Sequence, residues 1–373
     1  MPVPVNEPHP RHRLSVVILS YETPTEMLEA AVHSVFASVG VGTSDQTMLT
    51  EVVVADNASP TRRAHGAAVV GRAAADGPVA VRWLAFGRNH GFAGGINRAI
   101  AACDPTCDVV FLLNPDAVVE PEALARCAAA LADADSTCVA VAPKMLLASD
   151  ATVIDAVGNA VNGKGEAFNV GLGQPDLGQY DTPAPCFGPC FGAAMFRRSA
   201  FASGQVGPLD DSLFLYYEDV DWNWRCQLLG YTAITVPSAR VRHVMSAATR
   251  HLDYGFKFHL TERNLLLCAL KNFGWRRVVS IWVRRGGGLL KGSVRGHYPV
   301  PGLKAVLGAL RRAPRTLMAR RDVQRRRLRS DDDVLRFGIG EQTFFDAVRY
   351  EPTDRVAAEA FARARLAARE VGS

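Results

Sequence analysis

Short apolar runs rich in β-branched residues alternate with helix-period segments over the first 145 residues, and this alternation restricts the fold more than any other feature. Residues 14–19 (LSVVIL), 51–55 (EVVVA), 79–85, 109–113 (VVFLL) and 138–142 are predicted strands. A strand with one wet face alternates polar and apolar residues. A continuous apolar run belongs to a strand covered on both faces. Between the runs, Pro24 opens a helical stretch with Met27, Leu28, Ala31, Val32 and Val35. Residues 91–102 read as a Gly-led loop entering a helix, and Pro121 starts another. Repeated β-α units imply an α/β fold with a doubly wound, mostly parallel sheet. Ligands of such sheets bind beyond the carboxyl ends of the strands, and Asp56 and Asp116 follow two of them.

From 146 to 250 the pattern is less regular and Gly-rich. A loop at 186–192 (CFGPCFG) leads into a strand at 193–196. Residues 218–229 have helical spacing, with Val220, Trp224 and Leu228 on one face. Val236-Pro237 is predicted to end a short strand before His243. After Tyr254 the chain reads as helical and basic. Between Arg276 and Arg329 stand sixteen Lys and Arg against one acid, Asp322. Since the whole chain carries +5, the remainder is acidic, and two separate tasks are implied. The division expected is a catalytic part at 1–250, with a donor half at about 14–145 and an acceptor half at about 146–250, followed by a basic helical region at 251–373.

With 48% hydrophobic and 21% charged residues, a packed core is expected and wholesale disorder is excluded. The start lacks the apolar segment of a signal peptide. No uncharged run reaches the roughly 18 residues of a membrane span, and a cytoplasmic setting is expected. The eight cysteines include pairs four apart, Cys103/Cys107 and Cys186/Cys190. That spacing does not match zinc motifs, and reduced thiols acting as small hydrophobes are expected.

Asn114-Pro115-Asp116 breaks the fourth strand. A carboxylate there can hold a divalent cation against a diphosphate, and strand-terminating turn chemistry explains the same three residues. Asp56 can accept hydrogen bonds from a base or ribose, or cap the turn before Thr61. Asn89 to Asn97 (NHGFAGGIN) is a Gly-rich loop whose backbone N–H groups suit phosphate. Its alternative is close helix–sheet packing at Gly94 and Gly95. It matches neither nicotinamide nor ATP motifs. Tyr216 to Trp222 (YYEDVDW) gathers three acids and three aromatics at a helix start. First-turn acids favour the helix dipole; one of them can instead serve as general base on a hydroxyl, the aromatics offering a face to a sugar ring. His243 reads as a packing residue or as a neutral imidazole completing a metal shell.

Together these stretches resemble glycosyltransferase family 2, in its rhamnosyltransferase-like branch, whose nucleotide-binding fold is called GT-A. The matching pieces are residues 16–21, 54–59, 89–97, 113–116, 192–195 and 214–225, then His243, in the family's order over about 14–250. The resemblance implies an inverting glycosyltransferase with Mg2+ or Mn2+. Ser20, Tyr21, Asp56, Asn89, Gly94, Asn97 and Asn114 are expected at the donor, with Asp56 on the uracil or thymine base. Asp116 and His243 are expected at the metal. Asp219 is the expected base, with Glu218 beside it, and Gly192, Tyr217 and Trp222 are expected at the acceptor. The broader family has an Asp where this chain has Asn114, and Asn-Pro-Asp is the usual form within the branch. L-rhamnose from dTDP-rhamnose is the implied donor, galactofuranose or another UDP-sugar being next. The implied acceptor is a glycan or polyprenyl-linked sugar, with no nucleic-acid partner. A nucleotidyltransferase would want a basic residue in the first β-α loop, and Ser20-Tyr21-Glu22-Thr23 has none. A membrane-attached nucleotide-sugar binding protein without catalysis is the non-enzyme rival.

In the basic region Leu303, Val306, Leu307, Leu310 and Leu317 recur at helical spacing among Lys304, Arg311, Arg312, Arg315, Arg320 and Arg321. The pattern suits a helix lying in an anionic membrane surface, with Trp275 and Trp282 at the same interface. A solvated helix packed on the body has the same pattern. The inner face of the cell membrane is the setting expected.

Overall fold

The computed structural model describes residues 12–38, 47–244, 252–296, 299–338, 359, 362 and 363. The first part runs β1 (His12–Ser20), α1 (Thr25–Ala37), β2 (Thr47–Asp56), α2 (Arg63–Asp76), β3 (Ala80–Ala85), α3 (Gly91–Ala102) and β4 (Val109–Leu113). β1 pairs in parallel with β2 and β4, and β2 with β3. Successive side chains of β1 face opposite layers. Val16 and Ile18 pack with Leu28 and Val32 of α1, whereas Val17 and Leu19 pack with Ala93 and Ile96 of α3. Both faces are therefore covered, as the uninterrupted apolar run required.

The next part runs β5 (Ala117–Val119), α4 (Ala123–Asp133), β6 (Cys138–Leu147), β7 (Asp150–Ala156), β8 (Asn159–Val161), β9 (Ala167–Asn169), β10 (Pro185–Cys186), β11 (Ala193–Arg197), α5 (Glu218–Leu228) and β12 (Thr232–His243). The strands form a ten-stranded mixed sheet in the order β10-β12-β6-β11-β4-β1-β2-β3, with β5 on β12 and β7 on β6. β11 lies antiparallel between β4 and β6.

One local expectation fails in a way that builds the site. The strand expected to stop at Val236-Pro237 continues to His243. Pro237 lacks an N–H, so the ladder with β6 skips from Val236 to Arg240 and then resumes. The resumed strand sets His243 opposite both Ala117 and Leu147, and Val244 N donates to Asp116 O at 2.9 Å.

The last part runs α6 (Tyr254–Asn272), α7 (Trp275–Ile281), a π-helical turn (Trp282–Gly286), α8 (Gly287–Val294), α9 (Pro299–Arg325) and α10 (Asp331–Leu335). Residues 262–272 of α6 are all buried. They share one core with Val220, Trp224 and Leu228 of α5 and with Ala309 and Val323 of α9. Several arginines of the basic region are structural. Arg320 is buried and donates to Leu270 O and Phe273 O at the end of α6, with its guanidinium 4.2 Å from the Trp275 ring centroid. Arg329 donates to the carbonyls of Gly230 and Tyr231 beyond α5. Trp282 is half-buried, its indole donating to Leu266 O. Arg320 and Trp282 thus face the protein rather than the interface expected of them. All eight cysteines are free. Among the described residues no helix is long and apolar enough to cross a membrane.

Candidate active site

A cavity of about 500 Å³ opens at the carboxyl ends of β1, β2 and β4, large enough for a small organic ligand. One wall is made by strand ends. The Asn-Pro-Asp turn is closed by Asn114 N donating to Gly192 O and Ala117 N to Asn114 O. Asp116 is buried, and its Oδ1 accepts no well-formed hydrogen bond. His243 Nε2 lies 3.3 Å from that oxygen and 3.4 Å from Asn114 Nδ2. Behind the ring, His243 Nδ1 is 2.7 Å from Asp155 Oδ2 on β7. A carboxylate on Nδ1 fixes the ring plane and aims Nε2 at Asp116, the arrangement that supports metal-binding histidines.

Burial pulls the His243 pKa down, but its contacts with Asp116 and Asp155 outweigh burial and raise it to about 9. The imidazolium thus balances two buried carboxylates. A divalent cation would do the same while using the unpartnered Asp116 Oδ1 and the Nε2 lone pair, so the donor set fits such an ion. Among the described residues no group of three or more His, Cys, Asp or Glu side chains gathers in metal-holding geometry. Diphosphate and water oxygens would therefore supply the remaining ligands.

The facing wall is made by a helix start. Phe214, Tyr216 and Tyr217 adopt φ of 69°, 68° and 70°, a left-handed conformation costing about 1–3 kcal/mol at each non-glycine residue. The turn persists because it is held from outside. Asn264 Nδ2, in the middle of α6, lies 2.7–2.9 Å from the carbonyls of Leu213, Leu215 and Tyr216. Arg263 Nη2 adds a bond to Leu213 O. Phe214 O accepts from Phe92 N at the start of α3. That approach is open only because residue 91 is glycine: a Cβ there would lie 2.2 Å from Phe214 O, and its φ is +69°.

The turn delivers Glu218 and Asp219 to the cavity. Asp219 accepts from Val220 N through Oδ1 (2.7 Å) and from Asn159 Nδ2 through Oδ2 (3.0 Å). Asn223 in turn donates to Asn159 Oδ1. Glu218 Oε2 is buried with no partner. Burial raises both carboxyl pKa values, and the neighbouring Asp219 charge pushes Glu218 well above the usual range. Two such groups resist double ionisation. Asp219, with two donors on its carboxylate, holds a charge more readily than Glu218, whose Oε2 has none.

Of the residues expected at the site, Tyr21, Asn89, Asn114, Asp116, Gly192, Glu218, Asp219 and His243 line the cavity. Ser20 is buried and donates to Thr23 Oγ1. Asp56 is buried, accepting from Ser59 N and from Arg63 Nε at 2.7 Å. Asn97 bonds Leu209 O, and Gly94 lies inside α3. Tyr217 points away, its hydroxyl donating to Gly165 O. Trp222 is fully buried, stacked on Phe201 with its indole on Gly207 O. The aromatic residues on the cavity are instead Tyr21, Phe92, Phe191, Phe214, Tyr216 and Phe256. The residues not anticipated are Asp155 and Asn57 on the cavity, and Asn159, Arg263 and Asn264 behind it. Asn57 bonds Asn89, His90 and Gly91 and fixes the loop. A usable signal existed for Asn264, a lone amide in the leucine-rich run RNLLL.

The mixed sheet with helices on both faces is a fold shared with known structures. The chain superposes on GalNAc-T7 solved with UDP, GalNAc and Mn2+ at a TM-score of 0.60 and 16% identity, covering 92% of this chain and 58% of that one. A mannosyltransferase from Pyrobaculum calidifontis, solved with GDP-Man and Mn2+, superposes at 0.49 and 17% identity, covering 96% and 87%. In sequence, residues 15–204 match the pattern of glycosyl transferase family 2, and the chain belongs to that family. Curated relatives named N-acetylglucosaminyl-diphospho-decaprenol L-rhamnosyltransferase, from two strains of Mycobacterium tuberculosis, are 35% identical over 92 residues. The matched stretch covers 25% of this chain and 29% of those relatives.

Proposed function

We propose that the chain is an inverting glycosyltransferase that uses a divalent cation and a nucleoside-diphosphate sugar, with L-rhamnose from dTDP-rhamnose as the donor and a hydroxyl of a glycan or polyprenyl-linked sugar as the acceptor. The observation that carries the proposal is one cavity lined on one side by Asp116 and His243 and on the other by Asp219. The partial likeness to the mycobacterial rhamnosyltransferases supports the choice of sugar and a lipid-linked acceptor. A galactofuranosyl or other UDP-sugar transferase is the second reading of the same site.

Asp116 Oδ1 and His243 Nε2 would hold Mg2+ or Mn2+, which supplies charge neutralisation to the departing nucleoside diphosphate. Asp219, with its basicity raised by burial, accepts the proton of the acceptor hydroxyl as that oxygen bonds to the anomeric carbon. The bond from that carbon to the diphosphate breaks with its electron pair on the diphosphate. Attack opposite the leaving group inverts the centre, as in inverting glycosidases. Burial and the neighbouring Asp219 charge favour the neutral form of Glu218, which limits repulsion of the diphosphate. Val220 N and Asn159 keep the Asp219 carboxylate in place.

Thermal-shift screening of nucleotide sugars with and without Mn2+ tests the reading. The expected result is a Mn2+-dependent rise in melting temperature for a dTDP- or UDP-sugar. No shift with any donor would refute it. Donor binding without sugar transfer to any acceptor would favour the binding-protein rival.

A further inference from the structure

The helices after α6 carry a surface that neither the sheet nor the cavity uses. Between Glu262 and Asp322 the sequence has fourteen Lys and Arg and no acid. Apart from the half-buried Arg312, which bonds Gly308 O, the structure divides these cations into two sets. Arg263, Lys271, Arg277, Arg285 and Arg320 hold carbonyls or carboxylates of the body. Eight others, including Arg284, Lys304, Arg311 and Arg315, are exposed and make no ion pair among the described residues.

Apolar side chains are interleaved with that second set. On α9, Gly302, Ala305, Val306, Ala309, Thr316, Arg320 and Val323 form the buried stripe. Val300, Leu303, Leu307, Leu310 and Leu317 form another stripe at steps of three, four and seven, and all five are exposed, Leu307 at 55%. On α7, the π-helical turn and α8, Val279, Val283, Leu290 and Val294 are exposed as well, Val283 at 69% and Val294 at 89%. One apolar stripe is enough to dock α9 on α6, and the exposed one does no such work. Apolar patches of this extent mark interaction sites. Their cationic rim, with no acid inside it, selects an anionic occupant. A lipid surface offers acyl chains to the leucines and anionic head groups to the cations. A free anion or a nucleic acid would leave the leucines in water.

We infer that the exposed face of α9, together with α7 and α8, docks on an anionic lipid surface. Leu303, Leu307 and Leu310 enter the acyl boundary, and Lys304, Arg311 and Arg315 lie among the head groups. Docking itself stands on these helices alone. That it brings the cavity to a lipid-linked acceptor rests on the function proposed above.

The test is flotation of the full chain with vesicles of phosphatidylcholine alone and of phosphatidylcholine with phosphatidylglycerol, at low and physiological salt. The chain is expected to float only with the anionic vesicles. Leu303→Ser combined with Leu307→Ser should abolish flotation. Arg311→Gln and Arg315→Gln should each weaken it about five-fold. If the leucine pair fails to fold, Val283→Ser with Val294→Ser, on already solvated positions, takes its place. Failure to float with anionic vesicles overturns the inference. So does flotation that the leucine and valine variants leave unchanged while heparin or RNA competes it away, which would make the patch a general polyanion surface. Nucleotide-sugar thermal shifts on the same samples separate the two proposals, since docking without donor binding would refute only the function.

Discussion

The two walls of the cavity are built by opposite means. The strand wall, Asn114 to Asp116 with His243, hangs on ladder pairings that impose no unusual backbone. The longer of two register shifts along β12, at Pro237, lies outside the cavity in the middle of the strand. The helix wall, Phe214 to Asp219, contains three left-handed non-glycine residues and is held by Asn264 and Arg263 from α6 and by Phe92 N at the start of α3. The difference teaches that one wall is fixed by regular strand pairing and the other by side chains that hold a strained backbone. It also divides the labour: the strand wall suits a cation and its diphosphate, and the helix wall a proton.

That division can be broken by experiment. The largest effect is expected from Asp219→Asn, which keeps the shape and removes the basicity. Sugar transfer should fall by about 10² to 10⁴, while the Mn2+-dependent donor shift persists. Loss of donor binding would mean that the walls do not act separately. Next is Asp155→Asn, which loosens His243 without touching the cation directly. Mn2+ affinity, read by electron paramagnetic resonance titration, should fall by about 10- to 100-fold. In a His243→Ala background the same change should have no further effect; an equal loss there would show that Asp155 acts by another route.

Asn264→Leu, similar in volume, strips the strained turn of its donor. The expected cost is about 1–3 kcal/mol of stability by denaturant unfolding, with slower transfer and unaltered Mn2+ affinity. Reduced Mn2+ affinity would join the walls that the comparison separates. The smallest effect is pH dependence. The folded pKa of His243 is raised from 6.5 to about 9. In the metal-free protein its stabilising contribution is therefore full below about 6.5 and lost as pH rises through about 9. Mn2+ must displace that proton, so its affinity should climb over the same interval by at most about tenfold per pH unit. A flat profile from pH 7 to 9 would remove His243 from the ligand set.

The legibility of the chain follows the same line. β1, β2 and β4 were readable because strands covered on both faces leave unbroken β-branched runs, and the acid after such a strand is marked by its position. Asp116 could be placed on that ground. His243 could be named but not placed beside it, since local reading stopped the strand at Pro237 whereas the long-range ladder with β6 carried it on. Asp155 bears no mark, because its partner lies 88 residues away. In the aromatic cluster the sequence offers Tyr216, Tyr217 and Trp222 alike. A left-handed turn precedes the helix, so helical spacing cannot phase residues 216 and 217, and the structure turns Tyr216 to the cavity and Tyr217 to the core. The Gly-rich loop was legible as a close approach, and the backbone that approaches Gly91 is that of Phe214.

The reach of Asn264 into the turn at 213–216 also sets an order of assembly. A chain emerging from the ribosome presents β1 to β12, and with them Asp116 and His243, before α6 exists. The turn carrying Glu218 and Asp219 is backed only by its contact with the start of α3 until α6 has been made and folded back. A fragment ending near residue 250 would thus carry the cation side of the cavity complete, with the turn before Asp219 lacking the Asn264 and Arg263 bonds. α6, synthesised after the sheet, thus braces a site to whose cavity it contributes Phe256.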